Sequence, residues 1–119
     1  MANILYVDDD EGTLISALSL LRKAGHNVLT ARDGAEGLEL LAGDTEIHII
    51  FTDFSMSGMD GFEFSKAVRT DPRYAIHKHK PIFGVSTNFP EGKRQYLTRF
   101  RPKPIDYSLL DDVSESFNN

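Results

Sequence analysis

The chain has 119 residues, 40% apolar and 26% charged, with no cysteine and a formal net charge of −5. That is enough for one domain with a real core and too little for two. It contains no apolar run near the ~20 residues of a membrane-spanning helix, no leader ahead of the first strand-like segment, and no means of forming disulfides or thiolate metal sites. A cytoplasmic globular domain spanning 1–119 is the expectation.

The charge is unevenly spread. Lys66 to Lys103 holds ten Lys/Arg against two acids, Asp71 and Glu91, and the rest of the chain holds three against sixteen. A cationic side facing an acidic protein near Lys93–Arg101 follows from that asymmetry. Nucleic acid does not, because the whole chain is acidic and no groove-reading element is present.

In chain order, Asn3–Val7 is a short apolar strand ending in Asp8, Asp9 and Asp10. Glu11–Ala24 places Leu14, Ile15, Leu18 and Leu21 at helical spacing; Asp9 or Asp10 can cap it and Gly25 stops it. His26–Ala31 is a second strand, Asp33-Gly34 a turn, and Ala35–Leu41 a helix that ends at Gly43. Ile47 to Phe51 is a near-continuous apolar run, the pattern of a strand covered on both faces, and it ends abruptly on Asp53. After a loop from Ser55 to Gly61, a helix to Thr70 carries Phe62, Phe64, Ala67 and Val68 before Asp71-Pro72 ends it.

The connector from Tyr74 to Lys80 bears His77 and His79, read as connector residues because two alternating histidines lack further ligands. Pro81–Val85 is a fourth strand followed by Ser86-Thr87, and Asn88–Thr98 is the least regular part. Phe100-Arg101 is a brief fifth strand that Pro102 confines to an edge. A last helix near Asp106–Phe117 has Leu109, Leu110, Val113 and Phe117 on its apolar stripe. Strand followed by helix, five times over, predicts a doubly wound α/β fold with a parallel sheet and helices on both faces.

In such a sheet all strands end on one rim, where open α/β folds place their chemistry. Asp8 and Asp9, Asp53, Ser86 and Lys103 all follow strand ends, so three carboxylates, a hydroxyl and an ammonium converge. Three clustered carboxylates raise one another's pKa unless a cation intervenes, and an all-oxygen set suits Mg²⁺. A carboxylate nucleophile beside Mg²⁺ and a lysine is an apparatus for accepting a phosphoryl group.

With these residues assembled, the whole chain resembles the response-regulator receiver domain of two-component signalling. ILYVDDDEG is similar to that family's acidic opening, IIFTDFSMSGMDG to its phosphoacceptor segment, PIFGVST to its switch-hydroxyl segment and RFRPKPID to its lysine segment. The resemblance implies a flavodoxin-like five-stranded sheet in the order 2-1-3-4-5. It implies Asp53 as the phosphoacceptor and a signalling phosphoacceptor rather than an enzyme. It further implies Mg²⁺, for which Mn²⁺ can substitute, on Asp8, Asp9, Asp53 and the Ser55 carbonyl. Lys103 would contact the phosphoryl group, Ser86 would be the switch hydroxyl and Phe100 the aromatic switch. The donor would be a histidine kinase or phosphotransfer protein, and Lys103-Pro104 would be cis.

Three departures stand beside the resemblance. Ser57 occupies the place of a usual proline, Thr87 that of a usual small residue, and only sixteen residues separate Ser86 from Lys103. That span predicts a shortened or irregular fourth helix: two turns from Glu91, or none. The alternative function is a receiver-fold protein-binding module that works without phosphorylation. A phosphatase with a strand-end Asp nucleophile would want a second Asp two residues on, where this chain has Ser55.

Overall fold

A computed structural model describes residues 1–44, 46–88 and 90–117; the side chain of Phe117, expected on the last apolar stripe, lies outside the described residues. The elements are β1 (Asn3–Val7), α1 (Glu11–Lys23), β2 (Asn27–Ala31), α2 (Gly34–Gly43), β3 (Ile49–Thr52), α3 (Gly61–Thr70), a 3-10 helix (Pro72–His77), β4 (Ile82–Ser86), β5 (Arg99–Pro102) and α4 (Ser108–Phe117). The strands form one parallel sheet in the order β2-β1-β3-β4-β5. Pro102 thus ends the edge strand, and the Ser86 carbonyl beside it accepts from Lys103 N at 3.0 Å.

Strand alternation divides the core between the two faces of the sheet. Ile4, Tyr6, Ile49, Phe51, Phe83 and Val85 pack under α1 and α4 with Leu14, Leu21, Leu109 and Val113. Leu5, Val7, Ile50 and Ile82 pack under α2 and α3 with Leu38, Leu41, Phe64 and Val68. Tyr6, Phe51 and Phe83 are register partners on adjacent strands, and their rings lie 5.4 and 5.3 Å apart.

Local polar groups set the helix ends. The Asp10 carboxylate caps α1 by accepting from Thr13 N, and Gly25 follows at φ +92°. The Asp33 carboxylate accepts from Glu36 N, and Asp60 with Glu63 forms a reciprocal capping box on α3. Lys103-Pro104 is cis.

The fourth crossover departs from the alternation of strand and helix. No α-helical residue occurs between β4 and β5 among the described residues, only turns, so the option of two helical turns from Glu91 is not taken. The crossover between Ser86 and Arg99 is too short for a helix and both its connections. A side chain of α3 organises it instead. Arg69 donates from Nε to the Tyr96 carbonyl (3.1 Å), from Nη1 to the Lys78 and Lys80 carbonyls (2.9 and 2.6 Å), and from Nη2 to Thr98 Oγ1 (3.4 Å). Phe62 of α3 adds a ring contact to Tyr96 at 5.7 Å.

The histidine connector is also more ordered than its composition indicates. Pro72 starts a 3-10 helix capped by the Asp71 carboxylate, and the buried His77 ring pairs through Nε2 with the Leu41 carbonyl at the end of α2 (2.8 Å). His77 is a cap.

The edge strand β5 is tied to α4 by charge. The Asp112 carboxylate is fully buried and accepts from Arg101 Nε and Nη2 (2.5 and 2.8 Å) and Arg99 Nη1 (3.2 Å). The arginines are partly exposed, so the two ends of the pair differ in cost. Arg101→Ala leaves a buried carboxylate short of donors and lowers stability by about 2 kcal/mol. Asp112→Ala frees arginines that can reach water and lowers stability less. Urea denaturation of both variants checks the order.

Candidate functional site

Backbone pairing continues one residue beyond the strands and lays the polar residues on the rim. Asp8 N donates to Ala31 O, Asp53 N to Val7 O and Lys103 N to Ser86 O, at 2.9, 2.8 and 3.0 Å. Asp8 and Asp53 therefore leave adjacent central strands side by side, and Lys103 arrives from the edge strand.

Their side chains meet. Lys103 Nζ lies 2.8 Å from Asp8 Oδ2 and 3.1 Å from Asp53 Oδ2. Asp8 is fully buried and Asp53 is 4% exposed. The second oxygen of each carboxylate is held by backbone: Asp8 Oδ1 accepts from Asp10 N (2.9 Å) and Asp53 Oδ1 from Phe54 N (2.7 Å). Asp9 is exposed at the mouth, with Oδ2 accepting from Ser57 N at 3.1 Å.

Burial pushes the Asp8 carboxyl up to about 6, against the lowering effect of its bonds to Lys103 and Asp10 N; the charge of Asp53 adds to the rise. Burial also works against the Lys103 ammonium, yet its hydrogen bonds and charge pairing with Asp8 and Asp53 outweigh that and hold it above its ordinary value.

One lysine faces two buried carboxylates and an exposed third, so the site has an excess of negative charge. Asp8, Asp9 and Asp53 each present one oxygen, all within 4.8 Å of one another. Asp8 Oδ2 is buried, with the Lys103 ammonium 2.8 Å away as its one partner among the described residues. Three hard oxygen ligands, one of them under-satisfied, fit Mg²⁺, and these carboxylates form its site.

Glycine allows the close approach of α3. A Cβ on Gly61 would lie 2.2 Å from the Asp53 carbonyl oxygen, and Gly61 N donates to Phe54 O at 3.0 Å. The helix can therefore start directly beside the strand that delivers Asp53.

The other predicted residues lie around this centre. Ser86 is buried at the end of β4, and its hydroxyl accepts from Asn88 N at 3.5 Å, the limit of a hydrogen bond. Among the described residues no hydrogen bond joins it to Asp53. Phe100 is 40% exposed, and the Arg94 guanidinium lies 4.3 Å over its ring. Ser55 is on the exposed lip of the loop after Asp53. A groove of about 630 Å³ between α1 and α4, lined by Ile15, Leu20, Tyr107 and Leu110 among others, is lined by none of these residues.

Two contributors escaped the reading of the sequence: the Arg94 side chain over Phe100 and the Ser57 amide on Asp9. The absence of proline at 57 was a visible signal for the second. The first had none, since Arg94 reaches Phe100 only through the shape of the irregular crossover.

Comparison with known proteins adds an independent line. Residues 4–111 match the family described as the response regulator receiver domain. The protein PilH of Pseudomonas aeruginosa is 31% identical over 115 residues, covering 92% of each chain. The transcriptional regulatory protein GlrR of Escherichia coli is 33% identical over 119 residues; that match covers 96% of this chain and 26% of GlrR, so the chain spans about a quarter of that relative. Among solved structures, the chemotaxis protein CheY4 of Vibrio cholerae superposes with a TM-score of 0.85 at 33% identity over 98% of both chains.

Proposed function

The chain belongs to the response regulator receiver family, and from that premise we propose that residues 1–119 act as one receiver module of a cytoplasmic two-component phosphorelay. Asp53 accepts a phosphoryl group from a histidine kinase or a phosphotransfer protein. The observation that carries this is the buried Asp53 carboxylate, 3.1 Å from Lys103 and clustered with Asp8 and Asp9. Among the described residues no helix is long and apolar enough to cross a membrane.

An Asp53 oxygen forms a bond to phosphorus as the donor's own bond to phosphorus breaks, and that electron pair leaves with the donor group. Lys103 pairs with the negative charge on the incoming phosphoryl oxygens, exchanging part of its contact with the two carboxylates. Asp8, Asp9, Asp53 and the Ser55 carbonyl would hold Mg²⁺, or Mn²⁺, which suits the same oxygen ligands, and the cation would supply positive charge to offset the phosphoryl oxygens. The module modifies itself and turns over no external substrate. The direct test is intact-protein mass spectrometry after treatment with a small phosphodonor. A mass gain of one phosphoryl group with Mg²⁺, absent with a chelator, is expected; no gain in either condition overturns the reading.

The change is read out through Ser86 and Phe100. The Ser86 hydroxyl is only weakly engaged by Asn88 and can turn to a phosphoryl oxygen. Phe100 then moves inward, which removes it from Arg94. A cation–π contact contributes about 0.5–1 kcal/mol at an exposed site, so Arg94 favours the outward ring. Arg94→Ala is expected to raise the rate of phosphorylation by the small donor by about two- to fivefold, read from the same mass shift over time. An unchanged rate removes Arg94 from the switch.

The downstream surface lies near Lys93–Arg101 and suits an acidic protein. Arg99 and Arg101 are largely neutralised by Asp112, and Arg99 also by Glu115 at 3.3 Å. Lys93 lies over the Phe62 ring at 5.6 Å and Arg94 over the Phe100 ring at 4.3 Å. The phosphorylation-independent alternative gains no support from a rim on which Asp8, Asp9, Asp53 and Lys103 are all assembled.

A further inference from the structure

We infer that the backbone N–H of Ser57 positions the Asp9 carboxylate for the divalent cation, making Ser57 a determinant of metal affinity; the inference rests on the Mg²⁺ site described above. Asp8 and Asp53 are immobilised by burial, by Lys103 and by the amides of Asp10 and Phe54. Asp9 has none of this. It is exposed, and among the described residues its carboxylate has one hydrogen-bond donor, the Ser57 amide at 3.1 Å, from a loop 48 residues away in sequence.

An exposed aspartate must give up side-chain freedom to coordinate a cation, and a donor that already holds it reduces that cost. The bond engages Oδ2 on one side, which leaves Oδ1 and the remaining lone-pair directions for the metal. Because the donor is backbone, the identity of the side chain at 57 matters only in one respect: an imino acid there has no N–H to give. Residue 57 thus links the loop that follows the phosphoacceptor to the more exposed end of the metal site.

Calorimetric titration with Mg²⁺ of the wild type, Ser57→Ala and Ser57→Pro tests this. Ser57→Ala keeps the amide and should bind like wild type within about twofold, whereas Ser57→Pro should bind about threefold to tenfold more weakly. In the metal-free protein, Asp9→Ala should move the Ser57 amide proton upfield and speed its exchange. Overturning results are wild-type or tighter affinity in Ser57→Pro, an equal loss in Ser57→Ala, or a Ser57 amide unmoved by Asp9→Ala. Circular dichroism establishes that each variant folds; should Ser57→Pro not fold, the amide comparison decides alone. A wild type that binds no Mg²⁺ would overturn the metal site and this inference together, while normal binding with a silent Ser57→Pro would overturn this inference only.

Discussion

Asp53→Asn should take up no phosphoryl group under conditions in which the wild type is modified to a large fraction. The substitution keeps the shape of the side chain and removes the anionic oxygen, and an amide is not a nucleophile toward phosphorus under these conditions. Fold and stability should change little, because the side-chain amide oxygen of the variant can still accept from Phe54 N, and Lys103 retains Asp8 at 2.8 Å. The effect is therefore on chemistry. Lys103→Ala separates the roles further: Asp53 remains, but the charge that offsets the phosphoryl oxygens is gone, and loss of such a preorganised charge typically costs about 10²–10³ in rate. Peptide mapping should place the wild-type phosphoryl group on the peptide carrying Asp53. Phosphoryl uptake by Asp53→Asn at the wild-type level would show that another residue is the acceptor.

Asp8→Asn is expected to stabilise the metal-free protein while removing most of its affinity for Mg²⁺. The reason is the elevated carboxyl of Asp8, about 6 against an ordinary value of 3.8. Between those values the folded protein keeps a proton that the unfolded chain has lost. The native state then binds more protons, and stability falls as pH rises through that window before levelling off above about 6. At neutral pH the metal-free protein therefore bears the cost of an ionised, buried Asp8. The shift corresponds to about 2 kcal/mol once allowance is made for solvent at the mouth of the site. The uncharged amide of the variant avoids most of that cost, and its urea midpoint without metal should rise.

The cation reverses the comparison. Binding to ionised Asp8 stabilises the wild type in proportion to metal concentration, and the wild type should overtake Asp8→Asn at millimolar Mg²⁺. Below about pH 6 binding must displace a proton, so apparent affinity should fall by up to about tenfold per pH unit. Denaturation of both proteins with and without Mg²⁺, at pH 5 and pH 7.5, checks all of this. Equal metal-free stability of the two proteins would mean that Asp8 bears no burial cost.

Much of the site is legible in the sequence because of how a parallel sheet works. Every strand runs the same way, so the residue after each apolar run must lie on a common rim. Asp8, Asp53, Ser86 and Lys103 are each found that way, and the element order follows from the alternation of apolar runs and helical stripes. The less legible parts depend on partners far away in the chain. Asp9 and Asp10 were equal candidates to cap α1. Asp10 takes that role through Thr13, which leaves Asp9 for the metal and for Ser57. The basic run from Lys93 to Arg101 reads as a patch, but Asp112 of α4 collects two of its arginines.

The amino-acid sequence alone determined the class of fold, the rim and the chemistry, because hydrophobic period and strand ends are local properties that burial then enforces. The tertiary structure alone decided how the fourth crossover is built, which way Phe100 faces and how Asp9 is held. Each of those depends on a side chain or amide reaching across the fold: Arg69 to the turns, Arg94 to the ring, Ser57 to the carboxylate. No spacing in the chain encodes such reach. It exists only once the sheet has brought separate loops within hydrogen-bonding distance.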